Sequence, residues 1–256
     1  MITQVFATKR KMTQAWTTSG KRLAVTCLNI SNNAVIGQKD ASDKNPRMLE
    51  IGYGKKKLKN MSKPLRSKLE KGGFSFGVTT IREVKVTPEE TLKVGDSIKI
   101  EDVLHIGDVV KVQGTTKGRG FAGAMKRHGF KGGPKTHGQS DRARAVGAIG
   151  NRTTPGRVFR GKRMPGHFGV DTQTVMGLVV LHIDTAQQEV WLSGPVPGGM
   201  KGIVRILTTG EKRTLDIDKK ASGIVESVVA APAEVTAPAE TVLSAEEKVT
   251  SEGAAV

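Results

Sequence analysis

Gly114-Thr115-Thr116-Lys117-Gly118-Arg119-Gly120-Phe121-Ala122-Gly123 lies near the start of a sixty-residue stretch, Lys111 to Val170, that sets this chain apart. The stretch holds fourteen Lys or Arg, fourteen Gly and three His against one acid, Asp141, and so carries a net charge of +13. Four of the seven Phe fall within it: Phe121, Phe130, Phe159 and Phe168. Its apolar residues are too sparse to follow a period of two or of 3.6, so no packed element is predicted across most of it. Its like charges repel, and it has too little apolar surface to offset the entropy of ordering. Such a segment takes shape only against a polyanion. Basic runs are often solvated faces and Gly-rich runs often linkers, but a linker rarely needs aromatics. Gly allows close approach, Arg and Lys meet phosphate, and Phe can stack, which together describe a nucleic-acid arm.

The whole chain agrees with that partner. Its 256 residues suit one large domain with an insertion and tails, and a net charge of +17 points to nucleic acid. The charge is uneven: Ala221 to Val256 carries six acids and one Lys. The single cysteine, Cys27, excludes an internal disulfide and reads as a buried strand thiol. No apolar run approaches the ~20 residues of a membrane helix, and the polar, basic start does not read as a secretory signal. The expected setting is cytoplasmic.

On either side of the basic stretch the sequence has the rhythm of short strands and Gly turns that marks a mostly β, barrel-like fold. Strands are predicted at Ile2–Ala7, Leu23–Ile30, Asn33–Gln38, Met48–Tyr53, Thr79–Val86, Val109–Val112, Val175–Ile183, Glu189–Leu192 and Gly202–Leu207. Thr8-Lys9-Arg10-Lys11-Met12-Thr13 reads as a basic turn, and Ser31-Asn32-Asn33 as a second turn. Val94-Gly95-Asp96-Ser97 reads as a turn leading into a further strand. Lys63–Lys71 reads as a short helix, with Pro64 tolerated in its first turn and Gly72-Gly73 as its stop. From about Ser222 the chain is an acidic, low-complexity run of Ala, Val, Glu, Thr and Pro, read as disordered.

Three catalytic readings fail on physical grounds. Gly118-Arg119-Gly120-Phe121-Ala122-Gly123 matches the dinucleotide-binding pattern, but the residues after it are basic and broken by Gly and Pro instead of forming an amphipathic helix. His128, His137 and His167 match no metal-ligand spacing and stand among cations. Ser140, His137 and Asp141 fall within one pentapeptide and lack the rigid support of a triad. No cofactor, metal or catalytic residue is expected, and the chain does not read as an enzyme. Trp191 is expected in the core.

The Gly114–Gly123 segment resembles the opening of the long internal loop of the large-subunit ribosomal protein L-three family. The resemblance continues through Lys126-Arg127-His128-Gly129-Phe130, Thr136-His137-Gly138, Gly147-Ala148-Ile149-Gly150, Thr154-Pro155-Gly156-Arg157-Val158-Phe159 and Gly161-Lys162-Arg163-Met164-Pro165-Gly166-His167-Phe168-Gly169. Lys9-Arg10-Lys11-Met12-Thr13-Gln14 and Gly194-Pro195-Val196-Pro197-Gly198 fit as well, so it covers about residues 1–210. Among the departures, Lys11 stands where many relatives have Gly, His128 where Trp is common and Ala148 where Ser is usual. Thr153 stands where some bacterial members carry a methylated glutamine, so that modification is not carried over.

The resemblance implies a translation-factor-like antiparallel β-barrel, 1–113 and 171–215, with a small α/β insertion around 55–80. It further implies an RNA-penetrating loop, 114–170; the acidic tail, 216–256, has no counterpart in the family. It implies a structural constituent of the large subunit that binds large-subunit rRNA near its 3′ end and nucleates assembly. The loop would reach toward the peptidyl-transferase centre, with L-fourteen and L-nineteen family proteins as neighbours. The residues expected at RNA in the loop are Lys117, Arg119, Lys126, Arg127, Lys131, Lys135, Arg142, Arg144, Arg152, Arg157, Arg160, Lys162 and Arg163. Phe121, Phe130 and His137 are expected to stack or pack there. Lys9, Arg10, Lys11, Lys55, Lys56, Lys57 and Lys59 would add phosphate contacts from the barrel. The alternative is a general nucleic-acid chaperone or compaction protein, which would bind DNA and RNA alike.

Overall fold

The computed structural model describes residues 2–30, 33–39, 46–86 and 92–223. The turn expected at Ser31-Asn32 and the acidic segment from 224 onward lie outside them.

The first strand, β1, runs the thirteen residues Gln4–Trp16. It therefore passes straight through Thr8–Thr13, where the sequence suggests a turn. The correction has a clear cause. β1 first pairs over Gln4–Thr8 with β11 (Ile203–Lys212), then over Thr8–Trp16 with β2 (Arg22–Asn29). A register shift between Lys9 and Met12 marks a bulge where the strand changes partners. The ladder keeps these charged residues extended while Arg10, Lys11 and Met12 stay exposed.

Three more strands complete a closed antiparallel barrel: β6 (Asp108–Thr115), β9 (Thr172–Asp184) and β10 (Glu189–Ser193). The order is β1-β11-β6-β9-β10-β2, closing back on β1, so no edge is left unpaired. Beside the barrel stands a three-stranded sheet of β3 (Asn33–Lys39), β4 (Met48–Tyr53) and β5 (Thr80–Lys85). The mostly β reading holds. The Val94–Ser97 turn, however, leads only to an isolated bridge between Ser97 and Ala34.

Strand alternation divides β3. Val35 joins the main core with Val5, Leu28, Ile51 and Ile206, whereas Ala34 and Ile36 face Leu69, Phe74 and Val78. Each large side chain buried there contributes about 1.5–3 kcal/mol. Leu69 belongs to α1 (Lys63–Lys71), whose bounds match the sequence reading. Pro64 sits in the first turn, and the Gly72 N–H closes the last one onto the Lys68 carbonyl at 3.2 Å. Arg66 and Glu70 pair at 2.7 Å across one turn. Lys68 reaches Glu50 of β4, so the helix is held to the sheet by an ion pair as well as by Leu69.

Asp216 to Ser222, which the 216–256 boundary places in the tail, contacts the end of β1. Ile217 bridges Thr17, the Asp218 N–H donates to the Trp16 carbonyl at 2.9 Å, and the Trp16 N–H donates to Ser222 Oγ at 3.0 Å. Cys27 is buried in β2, and burial pushes its thiol up to about 11. Trp191 is only half-buried, packed at the edge of the second core cluster and edge-on to His182.

Candidate nucleic-acid interface

β6 and β9 are neighbours whose ladder ends at Thr115 opposite Thr172, and the whole basic arm is strung between those two residues. The arm starts as an extension of that hairpin. The Thr116 N–H donates to the Asp171 carbonyl at 2.9 Å and the Arg119 N–H to the Phe168 carbonyl at 2.8 Å. The ribbon ends in a two-residue pairing of β7 (Phe121–Ala122) with β8 (Gly166–His167). Glycine is required in this ribbon: at Gly169, with φ +83°, a Cβ would overlap the Lys117 carbonyl oxygen.

The proline-glycine loop after β10 braces the root. A Cβ on Gly198 would lie 2.9 Å from the Thr115 carbonyl oxygen, so the two backbones touch. Lys9 holds that loop in place. Its Nζ donates to the Val196 carbonyl at 2.6 Å and to the Gly198 carbonyl at 3.3 Å. Burial and the nearby Lys117 charge both push the Lys9 pKa down. Lys9 therefore faces inward and is buried, whereas the other basic residues singled out from sequence are exposed or, for Arg127, half-buried.

Beyond the ribbon comes a single turn of helix, α2 (Ala124–His128), ended by Gly129 in the left-handed conformation. Arg127 Nη1 donates to the Met164 carbonyl at 2.9 Å, and His128 Nε2 lies 3.1 Å from the same oxygen. Arg127 thus ties the outgoing and returning limbs together. A second crossing comes next, where the Gly133 N–H donates to the Ala143 carbonyl at 2.9 Å. From 147 to 163 every residue is exposed, including Ile149, Val158 and Phe159. That run carries Arg152, Arg157, Arg160, Lys162 and Arg163 and no acid.

The aromatics divide. Phe121 is 74% exposed and meets only the edge of His167, at 6.3 Å between centroids. Phe130 is half-buried beside His128, and Phe168 lies under the Arg119 guanidinium at 4.9 Å. His137 is exposed and adopts φ 61°. Lys117, Lys126, Lys131, Lys135, Arg142 and Arg144 are exposed. Arg142 has only a loose 3.9 Å approach to Asp141, both side chains being about 80% exposed. Beside the barrel, between β4 and α1, Lys55, Lys56, Lys57 and Lys59 are exposed around a 3-10 turn, Leu58–Asn60, and Lys55 Nζ stands 5.9 Å from the Phe76 ring. Lys11 is exposed, but Arg10 is held by Glu189 at 2.6 Å.

The glycine pattern at 118–123 builds the ribbon and the start of a one-turn helix, with no βαβ unit around it. Ser140 Oγ lies 3.4 Å from Asp141 Oδ1. Sequence reasoning missed the β7–β8 pairing, because two residues carry no period. It missed the inward turn of Lys9 because only the partner loop, nearly two hundred residues on, reveals it.

Comparison with known proteins shows the family to which the chain belongs. The family model described as Ribosomal protein L3 matches residues 44–194. The chain is 41% identical over 207 residues to the large ribosomal subunit protein uL3 of Herpetosiphon aurantiacus, covering 80% of this chain and 96% of that one. It is 39% identical over 211 residues to the uL3 of Dehalococcoides mccartyi, covering 82% and 100%. It is 36% identical over 213 residues to that of Albidiferax ferrireducens, covering 82% and 93%. A family model spanning more than half the chain and relatives matched over nearly their full length lead to one conclusion: this chain belongs to the ribosomal protein L3 family.

Proposed function

We propose that this chain is a structural, non-enzymatic component of the cytoplasmic large ribosomal subunit, and that it binds large-subunit rRNA through the arm. The observation that carries the reading is the arm itself. It presents thirteen Lys or Arg between Lys117 and Arg163, with Asp141 the one acid among them. Its outer run, 147–163, is exposed throughout, apolar side chains included. Basic groups in that density repel one another until phosphates stand between them, and exposed Phe159 and Val158 need a surface to cover them.

The work divides at the β6–β9 junction. The barrel, 1–113 and 171–215 with the 216–222 segment held against β1, docks on folded RNA by shape and phosphate contact, because the A-form major groove is too deep and narrow to read. The insertion around 55–80 adds the Lys55–Lys59 patch. The loop, 114–170, threads between RNA helices toward the peptidyl-transferase centre, and Arg forks bridge phosphates better than Lys. Arg127 spends part of its donor capacity shaping the arm and Arg119 lays its guanidinium over Phe168; Arg152, Arg157, Arg160, Lys162 and Arg163 are free to face phosphate. Binding near the 3′ end of the rRNA early in assembly, beside L-fourteen and L-nineteen family proteins, completes the reading.

Replacing Lys117–Gly166 with a short turn tests it. The Thr115–Thr172 ladder should still close, leaving a folded barrel whose affinity for folded large-subunit RNA is greatly reduced. Unchanged affinity across a salt titration would refute the role given to the arm. Equal affinity for duplex DNA and folded rRNA would favour a general nucleic-acid chaperone.

A further inference from the structure

We propose that Arg82 and Arg205 form a phosphate-binding site in the cleft between the barrel and the three-stranded sheet, at the foot of the arm. Arg205 lies on β11 in register with Phe6 of β1 and Gln113 of β6. Arg82 comes from β5, and Thr115 and Thr172, the two ends of the arm, line the same cleft. Among the described residues no carboxylate lines it.

Partly buried Arg205 lacks, among the described residues, the full set of partners that such a cation needs, and exposed Arg82 stands beside it. Arg205 Nη2 donates to Gln4 Oε1, but its Nε is buried with no hydrogen-bond partner among the described residues. Neither Arg82 nor Arg205 forms an ion pair among those residues. Burial first, and then the neighbouring Arg82 charge, push the Arg205 pKa below the ordinary guanidinium value. A like-charged pair in a cleft is unfavourable when empty and favourable around an anion. An orphan Nε and an adjacent fork match the oxygens of a phosphate, and the Thr hydroxyls and Gln113 amide suit its remaining oxygens.

The phosphate would be a phosphodiester of the RNA that runs along the arm, or a free phosphate ion. The RNA source rests on the function proposed above; the phosphate chemistry does not. The full-length chain is modified with the arginine reagent phenylglyoxal and the rate at each Arg read by peptide mass spectrometry. The chain is taken alone, with a folded large-subunit RNA fragment, and with inorganic phosphate against chloride at equal ionic strength. RNA should slow modification of Arg82 and Arg205 several-fold. Protection by inorganic phosphate but not by RNA that protects Arg119 and Arg152 would support the site and assign it to the free ion. Unchanged rates at Arg82 and Arg205 in both arms would overturn it. Failure of RNA to protect even Arg119 and Arg152 would count against the RNA reading, leaving the phosphate arm to decide the cleft. Arg82 is exposed, so R82Q should fold as the parent does, confirmed by its melting curve. It should abolish protection of Arg205 and lower the log–log salt slope of RNA binding by roughly 0.7–0.9. Undiminished protection of Arg205 in R82Q would refute the pairing.

Discussion

The ammonium of Lys9 donates a 2.6 Å hydrogen bond to the carbonyl of Val196, tying the first strand of the barrel to the loop that braces the arm's root. A charge that composition would spend on a phosphate is spent inside the protein. Charge-assisted bonds of this kind contribute about 1.5–3 kcal/mol. Lys9→Met should lose a comparable amount, read by urea unfolding, and should also raise the hydrogen-exchange rate of the Thr116 amide. A stability within error of the parent would remove the brace from the account.

Gly169 tests the ribbon. A side chain there meets the Lys117 carbonyl and must adopt φ +83°. Gly169→Ala should therefore cost about 1–3 kcal/mol locally. Amide protection at Thr116 and Arg119 should fall while that of Trp191, in the β10 ladder, stays as it was. Equal loss at both places would mean that the ribbon and barrel open as one unit.

Cys27 gives a pH dependence with a definite sign. Its thiol titrates near 9.0 when unfolded and at about 11 when folded, so between those values the unfolded chain has lost the proton and the folded one keeps it. The unfolding free energy should then fall as pH rises from 9.0 toward 11, and Cys27→Ala should flatten that fall. Alkylation of the folded protein at neutral pH should be slow, because the reactive thiolate is scarce and buried.

The exposed run of the arm should act through charge alone. Replacing Arg152, Arg157, Arg160, Lys162 and Arg163 by Gln should leave barrel stability within about 0.5 kcal/mol. The log–log salt slope for folded rRNA should drop by up to about 3.5–4.5. A slope that does not change would show that these side chains never reach phosphate.

How much of the fold is legible in the sequence depends on how far each signal reaches along the chain. β4 and α1 are bounded correctly because a compact apolar run and a Gly-Gly stop are local features. The second half of β1 is not, since its charged residues are extended only by ladders to strands elsewhere in the chain. The arm's cationic, glycine-rich character is local and plain. Arg127 folding back onto Met164, and Arg82 standing beside Arg205, join residues far apart in sequence and have no local signature.

The closing strand of the barrel is also its last. β1 finds β11 only after residues 203–212 exist, so a chain emerging from synthesis exports its most cationic segment before the framework behind it can shut. Domains close as units, and such long-range pairing is slow to form. The newborn arm is therefore rooted at first only by its own β6–β9 hairpin, with no closed barrel behind it, when stray polyanions compete for it most freely.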